Sequence, residues 1–347
     1  MNNIRLFHIS HTDLDGYACQ FLTNEVFSKK HFYNANYGLE VKQAIKQVIT
    51  EIKNYQDEKL LLLISDLNLN QQESDELDKE IKSLKDSGFD ITLQLLDHHI
   101  TGKSSAAKYD WYFLDDKRCA TKIVFDYLLK EFKAPLNDYK EWVDTVNAVD
   151  IWLENEKENF EFGKVLMSMV TKAREINSIL FNSLDRDFKF YLLKNSIGFL
   201  SLENAPIVLD NSVHSLKKEF LKDGFDDTLD NLSASYLVKS LDKIKDDLTV
   251  YYNGQKGLMT YCLGAISIPA NSFLRANSDY DFFIDVGRKG NASFRADGKL
   301  DVSQLASKLG NGGGHVNASG CKFDDFIETI NLQEVRAYIQ NKLNNLK

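Results

Sequence analysis

Three apolar runs of this 347-residue chain end on side chains that can grip a divalent cation. The first runs into His11-Thr12-Asp13-Leu14-Asp15-Gly16, the second into Ser65-Asp66, and the third into Asp97-His98-His99. Carboxylates and imidazoles without a thiolate suit manganese or magnesium, with iron, cobalt or zinc accepted, and a pair of such ions would share carboxylates. Each piece alone has a plainer reading. Asp13 and Asp15 with Gly16 make a turn, Asp66 an N-cap, and the two histidines a pair of satisfied surface groups. The double histidine is the hardest to explain away, because adjacent imidazoles at a strand end gain nothing from packing.

The elements that would carry these groups alternate. Residues 4–10, 32–37, 59–65 and 91–96 read as strands, with the continuous Leu-Leu-Leu-Leu-Ile run of 60–64 typical of a strand covered on both faces. Residues 17–27, 39–52 and 71–87 carry helical spacing. Strand and helix in turn predict an α/β domain with a mainly parallel sheet, whose strand C-termini line one crevice where separate motifs can meet. Helices dominate from about 121 to 153 and again to about 247. Strand signals return at 249–252, 258–263, 280–287 and 291–295, and a helix over 302–309 leads into Gly310-Asn311-Gly312-Gly313-Gly314-His315. The expected layout is an α/β catalytic domain over 1–185, a helical connector over 186–245 and a smaller α/β domain over 246–347. In the glycine cluster, amides without Cβ hindrance could form an anion-binding concavity, with His315 adding a donor; a flexible loop is the plainer reading.

Composition narrows the function classes. Hydrophobic residues at 43% and charged residues at 27% are those of a folded globular protein. No apolar run is long enough to span a bilayer and no signal peptide is visible, so the expected setting is cytoplasmic, with no membrane partner. A net charge of −9 disfavours a protein that coats long nucleic acid and favours a short phosphate compound held at a few points. Cys19, Cys119, Cys262 and Cys321 form no Cys-x-x-Cys pair and read as reduced buried thiols. Trp111, Trp142 and Trp152 are assigned to the core. Gly102-Lys103-Ser104 imitates the end of a P-loop, but Asp97 stands where that motif needs glycine. No Gly-x-Gly-x-x-Gly follows the first strand either.

In their order, Asp13-Leu14-Asp15-Gly16, Asp66, Asp97-His98-His99, Val149-Asp150-Ile151-Trp152 and Gly312-Gly313-Gly314-His315 resemble the motifs of the DHH phosphoesterases. They resemble most the bacterial nanoRNA-degrading oligoribonucleases, with their associated C-terminal substrate-binding domain. The resemblance implies two divalent ions, manganese first, with magnesium or cobalt as substitutes. Asp13 would hold one ion and Asp15 the other, Asp66 would bridge them, and His98 and Asp150 would complete the second site. Asp97 would orient the neighbouring imidazole, and His99 would face the substrate phosphate. The family's first ligand is a histidine four positions before the first aspartate. Ile9 stands there in this chain, so His11, on the same face of an extended strand, is the expected substitute and His8 the weaker one. Asp150 is preferred over Asp144 because its charge is set among apolar residues. Arg295 with Gly312, Gly313, Gly314 and His315 would hold the nucleotide; Arg118 and Arg288 read as surface charges.

The activity so implied is metal-dependent hydrolysis of short RNA oligonucleotides or dinucleotides to mononucleotides, with 3′-phosphoadenosine 5′-phosphate as a further substrate. Pyrophosphatase or polyphosphatase activity, cyclic dinucleotide cleavage and an inactive nucleic-acid-binding scaffold are the alternatives. A homodimer is left open.

Overall fold

The computed structural model describes residues 3–346 and divides the chain into two compact units. The first takes residues up to Ala173 together with Arg186–Leu216; the second takes Arg174–Asp185 and everything from Lys217 onward. The helical stretch read as a connector is thus shared out, part of it packing with each unit.

The first unit is built on five strands: β1 (Ile4–Ser10), β2 (Lys29–Asn34), β3 (Lys59–Ser65), β4 (Asp90–Asp97) and β5 (Tyr112–Leu114). They pair in the order β2-β1-β3-β4-β5, every pair parallel. The central β3 is fully covered: Leu60, Leu62 and Ile64 face a cluster with Val48 and Ile52 of helix Leu39–Ile52 and Leu77 and Ile81 of helix Gln71–Asp86. Helices Leu14–Val26 and Ala120–Phe132 pack against β1 and β4, burying Tyr17, Phe21, Ile123 and Val124. That double cover is why the strand reads as an unbroken apolar run rather than an alternation. Register does the positioning. Ser10 pairs with Ser65, and Ser65 with Leu96, so β1, β3 and β4 end level. The chain reverses order between β1 and β3, the place where an open parallel sheet leaves its binding crevice.

The second unit carries β6 (Thr249–Tyr252), β7 (Gln255–Tyr261), β8 (Phe282–Val286), β9 (Asn291–Ala296), β10 (Gly313–His315) and β11 (Ala318–Lys322). They form one sheet ordered β10-β11-β9-β8-β7-β6, antiparallel except between β7 and β8. The glycine segment, expected to form an anion-binding concavity with a flexible loop as the plainer reading, instead supplies the edge strand β10 at Gly313–His315. Gly312 and Gly314 allow it, since a Cβ at either would meet the β11 backbone, at 2.1 Å from the Gly320 oxygen and 2.5 Å from the Ala318 oxygen. At Gly313 a Cβ meets nothing. Among the described residues no helix is long and apolar enough to cross a membrane.

Candidate active site

Each acidic motif leaves the sheet at the same level. Asp13 caps helix Leu14–Val26, its Oδ1 accepting from the Gly16 amide at 3.0 Å. Asp15, two residues on and buried, is held from another direction. The Ala120 and Thr121 amides, at the start of helix Ala120–Phe132, donate to its two oxygens at 2.7 and 2.8 Å. A helix N-terminus favours a carboxylate by its dipole as well as its free amides. Asp66 follows β3 with φ of 56°, a left-handed backbone rare for a residue with a Cβ. Its amide donates to the Leu96 oxygen at 3.2 Å, so the strained residue is pinned to β4. The N-cap read as a plainer role for Asp66 belongs instead to Asn70, which forms a capping box with Glu73.

These groups gather as two sets that share Asp66. On one side His11 Nδ1 lies 2.9 Å from Asp13 Oδ2 and 3.7 Å from Asp66 Oδ2. On the other, His98 Nε2 lies 3.3 Å from Asp66 Oδ1, 3.6 Å from Asp150 Oδ2 and 3.8 Å from Asp15 Oδ2. Asp66 therefore turns one oxygen to each set. His8, the rival to His11, is fully buried, with its nitrogens on Thr23 Oγ1 and Ser65 Oγ at 2.9 and 2.8 Å; burial drives its pKa down to about 3. Asp144 bonds Lys122 and Lys140 at 2.9 and 2.7 Å and stands apart from the histidines as an ordinary paired helix charge.

The electrostatics are those of a site short of positive charge. Burial, then the Asp15, Asp13 and Asp150 carboxylates, push Asp66 well above the usual range. Burial, then Asp15 and Asp13, raise Asp150 to about 9. Asp150 also ends helix Lys140–Asp150, where the dipole disfavours an anion. Asp66 Oδ2 and Asp150 Oδ2 are buried without a hydrogen-bond partner. At Asp13, burial works upward, but the His11 hydrogen bond and charge and the Gly16 amide hold the group at about 2. Orphaned carboxylate oxygens beside imidazoles fit divalent cations: His11, Asp13 and Asp66 form one donor group, and Asp66, His98 and His99 another. Cys119 lies with Asp15 and Asp150, but burial and then those carboxylates keep its thiol protonated, which makes it a poor ligand.

His99 is oriented from behind. Its Nδ1 bonds Asp97 Oδ1 at 2.7 Å, while the buried Asp97 accepts from Tyr112 Oη at 3.1 Å. The Asp97 hydrogen bond, against the opposing effect of burial, raises the His99 pKa. A Cβ at Gly102 would lie 2.0 Å from the same Tyr112 hydroxyl, which accounts for the glycine of the false P-loop.

Residues 265–345 match the DHHA1 domain model. The chain is 42% identical to a 3′,5′-cyclic-nucleotide phosphodiesterase of Helicobacter pylori, strain 26695, over 99% of both proteins. The chain belongs to the DHH phosphoesterase family. It is also 25% identical to oligoribonuclease NrnB of Bacillus subtilis, over 99% of this chain and 80% of that one. A crystal structure of a Helicobacter pylori G27 protein, 42% identical, superposes with a TM-score of 0.91 over 99% of both chains.

In the second unit of this DHH phosphoesterase, His315 pairs with Ala318 and Ala318 with Arg295 across β10, β11 and β9. Residues paired in this way share a face, so Arg295 and His315 stand on one side of the sheet, roughly 10 Å apart at two strand spacings. His315 is exposed; Arg295 is half-buried and donates to Ser267 Oγ at 2.9 Å and the Phe294 oxygen at 2.7 Å. The concavity expected of Gly312, Gly313 and Gly314 is corrected to a strand edge, where one side of the backbone is open. Arg118 pairs with Asp115 and Asp126, and Arg288 with Glu328. Trp142 is core and Trp111 half-buried, but Trp152 is 60% exposed at φ of 61° and packs edge-on against Phe160. Of the four cysteines, Cys19 and Cys119 are buried, whereas Cys262 and Cys321 are half-buried. Tyr112 had no signal of its own in the sequence, being one of four aromatics between Tyr109 and Phe113 with nothing local to mark its bond to Asp97.

Proposed function

We propose that this DHH phosphoesterase hydrolyses a phosphodiester in a small nucleotide with two divalent ions, manganese first. The observation that carries this reading is Asp66, buried and uncompensated, with one oxygen toward the His11–Asp13 pair and the other toward His98. His11, Asp13 and Asp66 would hold one ion; Asp66, Asp15, His98 and Asp150 would hold the other. Ions there would supply Lewis acidity, lowering the pKa of water and neutralising charge on the phosphoryl oxygens. The protein's own part is orientation. Asp97 takes the Nδ1 hydrogen of His99, whose imidazolium form, favoured by that bond, would donate from Nε2 to a phosphoryl oxygen, and Arg295, Gly312, Gly313, Gly314 and His315 would hold the rest of the nucleotide.

The full-length likeness to a 3′,5′-cyclic-nucleotide phosphodiesterase puts a 3′,5′-cyclic nucleotide first among substrates. Short RNA and dinucleotides are the second reading, favoured by the likeness to an oligoribonuclease and by the motif resemblance. Both substrates present a phosphodiester on ribose, and a net charge of −9 suits a ligand with few phosphates. The acidic and imidazole positions, almost all present, speak against an inactive scaffold, and the DHHA1 match against a pyrophosphatase.

The test is a panel of a 3′,5′-cyclic nucleotide, a dinucleotide, 3′-phosphoadenosine 5′-phosphate and pyrophosphate, assayed with manganese and with chelator. Turnover of one of the first two, abolished by chelation and by Asp66→Ala in a folded protein, is expected. Full activity of Asp66→Ala would overturn the bridging assignment, and a preference for pyrophosphate would overturn the phosphodiester reading.

A further inference from the structure

Tyr37 belongs to none of the motifs above, yet it stands at the site. It lies in the loop after β2, and the loop is fastened: Thr12 Oγ1 donates to Asn36 Oδ1 at 2.6 Å, and Glu40 accepts from the Asn36 amide and side chain at 2.9 Å. Gly38, at φ of 82°, then turns the chain into helix Leu39–Ile52. Thr12 adjoins Asp13, so the loop is tied to the metal-binding turn itself. The Tyr37 ring centroid lies 5.4 Å from that of His11 and 6.1 Å from that of His99, edge-on to the latter. Its hydroxyl is 3.5 Å from His99 Nε2, the ring nitrogen that is not bonded to Asp97.

Packing alone does not account for this placement. Tyr37 remains 44% exposed, whereas a tyrosine serving only to cover the histidines would bury more of its ring. The distance from the hydroxyl to Nε2 is at the long limit of a hydrogen bond, and an oxygen atom placed beside the pair could take a hydrogen bond from the hydroxyl and, with the ring protonated on both nitrogens, from Nε2.

We propose that Tyr37 contacts the substrate, its hydroxyl and His99 Nε2 forming a two-point clamp on a non-bridging phosphoryl oxygen. This deepens the phosphodiesterase reading and rests on it. Tyr37 joins the residues that touch substrate, and the chain Tyr112–Asp97–His99–Tyr37 runs from the buried end of the site to its mouth. The ligand class is any phosphate ester whose phosphoryl group reaches the ions.

The experiment compares wild type, Tyr37→Phe and Tyr37→Ala in three measurements: manganese binding, inorganic phosphate binding to the manganese-loaded protein, and turnover of the cyclic nucleotide and the dinucleotide. Tyr37→Phe is expected to keep the manganese affinity while weakening phosphate binding and kcat/KM by about tenfold or more, the loss typical of one hydrogen bond to a charged group. Phosphate affinity in Tyr37→Phe equal to wild type would overturn the proposal. So would a loss confined to Tyr37→Ala, which would assign the role to the ring, or a parallel fall in manganese affinity, which would place the effect in the ion site. A wild type that turns over neither nucleotide would refute the function reading instead, while the phosphate measurement would still decide the role of Tyr37.

Discussion

At the scale of single residues the site is a cluster of acids that resist ionising together. Asp66 and Asp150 both have folded pKa values raised by burial and by neighbouring carboxylates. A group raised on folding contributes stability that is complete below its unfolded pKa, near 3.9 for an aspartate, and lost as pH climbs through the folded value. For Asp150 that loss extends to about 9. His99, raised chiefly by its bond to Asp97, falls in the same direction. His8 acts oppositely, since its lowered pKa removes stability as pH drops below its unfolded value of about 6.5. Between pH 7 and 9 the acids and His99 therefore govern, and the protein in chelator should lose stability toward alkaline pH. Asp150→Asn should flatten that slope, as read from urea unfolding at several pH values. A slope equal to wild type would mean that Asp150 is already ionised in the folded, metal-free protein. Adding manganese should suppress the slope in wild type, because the ions select the deprotonated carboxylates.

At the scale of elements, the turn from β1 into helix Leu14–Val26 is set by one close approach. A Cβ on Gly16 would sit 2.3 Å from the His11 oxygen and 2.8 Å from its nitrogen, and backbone atoms cannot move aside as a flexible side chain could. Gly16→Ala should destabilise the protein by about 1–3 kcal/mol, as overpacking does, and by displacing His11 should also shrink the thermal shift caused by manganese. Gly198→Ala, where a Cβ meets nothing, is the control, expected within about 0.5 kcal/mol of wild type. If the Gly16 variant melted lower but kept its full metal-induced shift, the turn would not be what sets His11. Much of this scaffold was readable beforehand. β1, β3 and helix Leu39–Ile52 lie where the apolar runs and helical spacing put them, because local pattern and burial agree there. β10 was not readable, since Gly313-Gly314-His315 carries no strand-forming side chain and exists only by pairing with β11. The hold of Ala120 and Thr121 on Asp15 and the loop that brings Tyr37 to His99 join distant parts of the chain, and no local spacing announces them.

At the scale of the whole molecule, the residues of the proposed reaction fall in both units. Every acid and imidazole of the ion-binding sets lies in the first unit, while Arg295 and His315 share a sheet face in the second. If Arg295 holds substrate phosphate, it should be separable from the ions. Arg295→Ala should raise KM for a dinucleotide by about tenfold or more, the range for a lost charge-assisted hydrogen bond, and leave the manganese titration unchanged. The molecule's net charge of −9 sharpens this expectation, because an acidic protein that holds a short substrate must do so through few cations. The salt dependence of KM in wild type should then be shallow, as ordinary screening of a few charges gives, and Arg295→Ala should reduce it further. Unchanged KM with an unchanged salt slope would remove Arg295 from the substrate site. Weaker manganese binding in the variant would instead mean that the second unit acts on the ion centre rather than on the nucleotide.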